Sequence, residues 1–161
     1  MRFHLKKKKI LSSSLKHNNM LTINPYLNFL GNTEEAFLFY KSVFGGEFTT
    51  LQRFSDIPGA ADHLPEADKH KLMHVALPIG EACVLMGTDA LESAGHKVTM
   101  GNNISLSINA ESEAHADKLY AALSQNGVAE MPMEKTFWGA YFGMCDDQFG
   151  LKWMINYDYP N

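Results

Sequence analysis

The chain has 161 residues, 45% of them hydrophobic and 20% charged, with a formal net charge of −4. Such a profile fits one globular domain or two fused half-size modules, large enough to fold without a disulfide or metal staple. Its apolar runs are only a few residues long, which excludes a transmembrane helix.

The net charge conceals an asymmetry. Residues 1–19 carry Arg2, Lys6, Lys7, Lys8, Lys9 and Lys16 and no acidic residue, so the remainder holds eight basic side chains against all eighteen acidic ones, a balance of −10. An acidic body repels phosphates and speaks against a nucleic-acid partner. The basic tail alone would suit anionic lipid or nucleic acid. Its segment Ile10–Leu15 is too short and polar for a secretory core. The tail is therefore expected to be a disordered extension, and Met20 stands where an initiator would. Cys83 and Cys145 show neither metal-ligand pairing nor a disulfide pattern, and are expected as free thiols in a cytoplasmic protein without a membrane partner.

In chain order, Ile23–Leu30 reads as a strand with Pro25 near its start. Asn32 and Glu35 have capping-box spacing, and Ala36, Phe37, Phe39, Tyr40, Val43 and Phe44 recur at helical intervals until Gly45-Gly46. Glu47–Phe54 reads as a strand, and residues 55–70, with Pro58, Gly59 and Pro65, as a long loop. Strands Leu72–Ile79 and Ala82–Gly87 follow, and residues 88–101 form a second loop.

The pattern then restarts. Asn103–Asn109 alternates, with Ile104, Leu106 and Ile108 on one face and Asn103, Ser105 and Ser107 on the other. Ser112 caps a helix carrying Ala116, Leu119, Tyr120 and Leu123, which Gly127 ends. Strands fit Ala129–Met133, Ala140–Cys145 and Leu151–Tyr157. The order strand–helix–strand–strand–strand thus occurs twice, helices aligning at an offset of 80 (Ala36 with Ala116) and first strands at 78 (Leu30 with Ile108). This internal duplication predicts an α+β fold, a single domain over 20–161 in which the sheets of βαβββ modules at 22–90 and 101–158 join around a shared concavity. A curved mixed sheet would surround a central cleft, with the helices on its outer faces.

Several segments carry a closer resemblance. Pro25-Tyr26-Leu27-Asn28-Phe29, Phe39–Gly46, Val84–Gly87, Thr136-Phe137-Trp138-Gly139, Phe149-Gly150 and Trp153–Asn156 resemble the PhnB-like branch of the vicinal oxygen chelate superfamily. That superfamily includes glyoxalase I, extradiol dioxygenases and bleomycin-resistance proteins. The resemblance implies paired modules, a homodimer in which modules pair across subunits, and a ligand cleft. The superfamily's enzymes hold a divalent metal on His and carboxylate ligands from the first and fourth strands of each module. At those positions this chain has Pro25, Asn103, Leu85 or Met86, and Met154. None is a normal hard-metal donor in such a set. No metal and no cofactor are therefore expected in the ordinary centre.

Within Leu72–Ile79, alternation sets Met73, Val75, Leu77 and Ile79 on the apolar face and His74 on the opposite one. His74 could serve as general acid or base, or as a structural hydrogen-bonding residue. Arg53 could fork onto an anionic group or form a surface salt bridge. Asn103 and Ser105 offer neutral donors and acceptors. Phe29, Met86, Trp138 and Met154 would line a forgiving apolar pocket, and core packing is the plainer account of such residues.

Two functions remain open on the sequence. One is metal-free binding of a small aromatic or cationic compound. The other is lyase, isomerase or dioxygenase-like chemistry using His74 or a non-standard metal. The branch also carries a ubiquinone-methyltransferase label, but no glycine-rich strand–loop–helix segment exists to hold a nucleotide-type cofactor.

Overall fold

The computed structural model describes residues 21–160; the basic tail expected at 1–19 lies outside them. Two four-stranded mixed sheets carry the fold, each beginning with a short edge strand whose chain then crosses over through a helix. Module one runs β1 (Tyr26–Phe29), α1 (Thr33–Phe44), β2 (Thr50–Arg53), a short α2 (Glu66–Lys69), β3 (Leu72–Ile79) and β4 (Cys83–Asp89). Module two runs β5 (Leu106–Asn109), α3 (Glu113–Leu123), β6 (Val128–Lys135), β7 (Ala140–Asp146) and β8 (Lys152–Asp158). The sheets have the orders β1-β4-β3-β2 and β5-β8-β7-β6, so the duplication read from the sequence is present as matching topology. In both, the first strand lies parallel to the last and the other neighbours are antiparallel.

The expected single curved sheet is divided. β1 and β5 are the edge strands of separate sheets, with no strand pairing between them among the described residues. Both first strands are also shorter than the apolar pattern suggests. Leu30 is 48% exposed just past β1 while Phe29 is buried, so Phe29 is the counterpart of Ile108 and the offset shifts by one residue. Asn103, Ile104 and Ser105 precede β5, and Ile104 is 72% exposed, so the alternation continued past the end of the strand.

Each helix packs on one face of its sheet. Ala36, Phe37 and Tyr40 of α1 and Ala116, Leu119 and Leu123 of α3 are buried in one core with Val75, Leu77, Leu85, Cys145, Trp153 and Ile155. Gly87 lets α1 come close to β4: a Cβ there would lie 2.5 Å from Phe37 Cε2. The helix starts differ from each other. Ser112 caps α3 as expected, its Oγ accepting from the His115 amide at 3.1 Å. Asn32 makes no side-chain cap for α1. That task falls to buried Asp89 at the end of β4, whose Oδ1 accepts from Gly31 N (3.0 Å), Thr33 N (3.1 Å) and Thr33 Oγ1 (2.6 Å).

The modules are tied on the helix side. Tyr40 of α1 stands 5.8 Å from the Trp153 ring, and Phe44 stands 5.5 Å from it. The buried carboxylate of Asp147 accepts from Tyr40 Oη at 2.9 Å across the junction. Within its own module it accepts from Trp153 Nε1, Phe149 N and Leu151 N at 2.8, 2.8 and 3.0 Å. Both cysteines are free thiols; Cys145 is buried and Cys83 half-buried.

Candidate functional site

With both helices on one side, the other face of each sheet is open, and strand register sets out its residues in rows. On the first sheet, Tyr26, Met86, Ala76 and Thr50 lie opposite one another across four strands. His74 and Gln52 face each other in the next row. On the second sheet one row reads Ser107, Met154, Met144, Met131 and the next Asn109, Asn156, Phe142, Glu134.

The facing edges β1 and β5 border a cavity of about 740 Å³. Its lining includes Phe29, Leu85, Leu106 and Trp153 from the core side and Tyr26, Asn28 and Ser107 from the open side. Segment 98–101 of the inter-module connection, with Asn103 and Ser105, completes it. The volume falls in the usual range for a small-molecule site, and the mixture of apolar wall and few polar groups is also usual. Among the described residues no side-chain hydrogen bond occupies Asn28, Asn103, Ser105 or Ser107. Lys152, also on the wall, is neutralised by Glu130 and Asp146 at 2.6 and 2.7 Å, contacts that raise its pKa.

The residues singled out from sequence divide into five places. Phe29, Asn103 and Ser105 line the seam cavity. Met86 lies on the open face of the first sheet, one strand in from Tyr26. Met154 lies on the open face of the second sheet. Trp138 occupies the turn between β6 and β7, 56% exposed and edge-on to Phe142 at 6.1 Å. Arg53 points elsewhere: its guanidinium donates to Glu34 Oε1 at 2.7 Å and to the His70 carbonyl at 2.8 Å. The salt bridge weighed for it is thus the contact observed.

His74 is half-buried and on the open face, as the alternation of β3 indicated. Its Nδ1 lies 3.2 Å from Tyr26 Oη, and the two rings stack at 5.7 Å. Tyr26 is the residue that sequence reasoning passed over. It occupies an exposed position of β1 and reaches both the seam and His74, while its apolar neighbours Leu27 and Phe29 turn to the core. The signal that could have found it is parity, since Tyr26 and Asn28 alternate with those two core residues.

The donor set does not fit the divalent metal of the superfamily's enzymes. Of Leu85 and Met86, register turns Met86 to the open face and Leu85 into the core, so a thioether stands where a carboxylate would. Among the described residues no three His, Cys, Asp or Glu side chains are grouped to hold an ion. A nucleotide-type methyl donor fits no better. The Gly31-Asn32 turn leads from a strand into a helix, but the Gly31 and Thr33 amides that would meet an anionic group are already donated to Asp89.

Solved structures titled as glyoxalase/bleomycin resistance proteins match over most of the chain at 18–20% identity, a likeness of fold. Residues 21–156 match the family described as 3-demethylubiquinone-9 3-methyltransferase, and the chain belongs to that family. It is the PhnB-like branch of the vicinal oxygen chelate superfamily. Protein PA1353 from Pseudomonas aeruginosa is 37% identical, with TM-score 0.75 over 86% of this chain and 98% of its own. A PhnB protein from Bacillus cereus, titled a putative 3-demethylubiquinone-9 3-methyltransferase, is 25% identical, with TM-score 0.69 over 85% and 99%. Protein YjdN of Escherichia coli is 28% identical over 142 residues, 84% of this chain and 95% of its own.

Proposed function

We propose that the chain is a small-molecule-binding protein that takes an uncharged, largely apolar ligand at the seam between β1 and β5, without a hard divalent metal. The observation that carries this reading is the 740 Å³ cavity, whose wall joins Phe29 and Trp153 to the neutral groups of Asn103, Ser105 and Ser107. The acidic body and the occupied Arg53 disfavour an anionic ligand. The protein acts in the cytoplasm as a homodimer. Methyl transfer through a nucleotide-type donor is disfavoured despite the family's description, since the amides of the turn before α1 are already donated to Asp89.

A thermal-shift screen of neutral aromatic, cationic and phosphonate compounds tests the proposal. A ligand at about a hundred times its Kd adds about 2.7 kcal/mol to stability, readily seen as a rise in Tm. Neutral hits should lose much of that rise in Ser105→Trp, which sets a large ring into the cavity. A shift unchanged in that variant, or found only with phosphonates, overturns the seam reading. Stoichiometric Zn, Ni, Mn or Fe lost in His74→Ala overturns the absence of a hard metal.

A second reading, an enzyme of lyase, isomerase or dioxygenase type, has one observation in its favour: the Tyr26–His74 pair places a phenol, backed by an imidazole, on the cavity wall. Conversion of a bound hit, followed by mass spectrometry and lost in His74→Gln, would select it.

A further inference from the structure

The open face of the second sheet holds a feature that the seam does not use. Met131, Met144 and Met154 are register partners across β6, β7 and β8, with β6 bulged on either side of Met131. Side chains opposite one another on neighbouring strands have Cβ atoms about 5 Å apart, so three consecutive positions lie within reach of one point above the middle strand. The unbranched methionine side chain has the torsional freedom to bring its sulfur there.

Core packing does not account for this row. Met133, on the same strand as Met131, turns to the helix side and packs against the core. A Cβ on Gly143 would fall 2.6 Å from its sulfur. Met131, Met144 and Met154 are absent from that core; Met131 is 38% exposed and the other two are half-buried. Their side chains are therefore outside the core and these residues are partly open to solvent.

The surroundings select the type of ligand. A thioether is neutral and soft, a poor donor to Mg, Ca, Mn or Zn and a good one to a soft d¹⁰ monovalent ion. Of the carboxylates around this face, Glu130 and Asp146 are engaged by Lys152, and Glu134 stands one row away, opposite Phe142. Phe142, two residues from Met144 on the same strand face, lies in the adjacent row with Trp138 edge-on to it, and aromatic faces favour a poorly hydrated cation.

We propose that Met131, Met144 and Met154 form a three-thioether site for a soft monovalent ion of the Cu(I) class. The site goes beyond the seam reading, lying on a different surface and taking a different ligand. It also departs from the superfamily's metal chemistry: Met154, standing at a carboxylate position, exchanges a hard donor for a soft one.

The test titrates Cu(I), under anaerobic reducing conditions, into full-length protein labelled with ¹³C at the methionine methyl groups. The three ε-methyl resonances should shift together and saturate at one ion, while those of Met133 and Met86 stay in place. Leucine conserves volume, so Met144→Leu should fold with little change in Tm and weaken binding at least about tenfold. Met133→Leu should leave binding unchanged. Shifts confined to residues around Cys83 or the histidines overturn the site. So does equal affinity in the Met131→Leu, Met144→Leu, Met154→Leu triple variant. A failed seam screen leaves this titration unaffected, and a failed titration leaves the seam screen unaffected.

Discussion

Tyr40 shows how one side chain can hold both halves of the chain. Its ring lies in the shared core, and its hydroxyl donates to Asp147, 107 residues further on. Burial, and then the adjoining Asp147 carboxylate, drives its phenol pKa far above the usual value. The neutral phenol is thus the form that the fold holds. Its contribution is complete below the unfolded pKa of about 10 and is lost as pH rises beyond it. Urea midpoints of the wild type should therefore fall between about pH 9 and 11, and those of Tyr40→Phe should fall less steeply. Parallel curves would show that Tyr40 does not carry the alkaline loss. The sequence placed Tyr40 on the buried side of a helix but could not show its partner, because nothing local links a helix residue to a distant turn. His74 was legible, since its orientation follows from alternation within a single strand. Arg53 was not, since its two acceptors come from α1 and the loop before β3.

At the scale of elements, strand and helix order could be read from periodicity, whereas strand ends could not. β3 matched its sequence bounds because apolar residues fill it and turns close both ends. β5 did not, because Ile104 extends the alternation into a segment that has no ladder to join. The cap of α1 was misassigned for a related reason: Asp89 competes with Asn32 and wins by bonding several donors at once. Close packing of α1 on β4 rests on Gly87. Gly87→Ala would set a methyl group against the Phe37 ring, and should cost about 1–3 kcal/mol in chemical denaturation. A change below about 0.5 kcal/mol would mean that α1 shifts freely on its sheet.

For the whole molecule, the two sheets stay separate at β1 and β5 among the described residues, and both edges border the seam cavity. The proposed homodimer should give a light-scattering mass near twice that of the 18.0 kDa chain. A monomer at micromolar concentration would count against it. The duplication and the order of elements in each half were legible in the sequence. The seam was not, because a gap between sheets depends on which edges remain unpaired and not on any one segment.

The two modules repeat one topology, yet their open faces have diverged. One presents Tyr26, His74, Gln52 and Thr50, and the other Met131, Met144, Met154 and Phe142. Two identical halves would offer a ligand two equivalent orientations, related by the pseudo-twofold of the duplication. Here one end of a molecule lying across the seam would meet Tyr26 and Asn28 of β1, and the other would meet Asn103, Ser105 and Ser107. The repeat has thereby lost its degeneracy, and a ligand with unlike ends can enter only one way round.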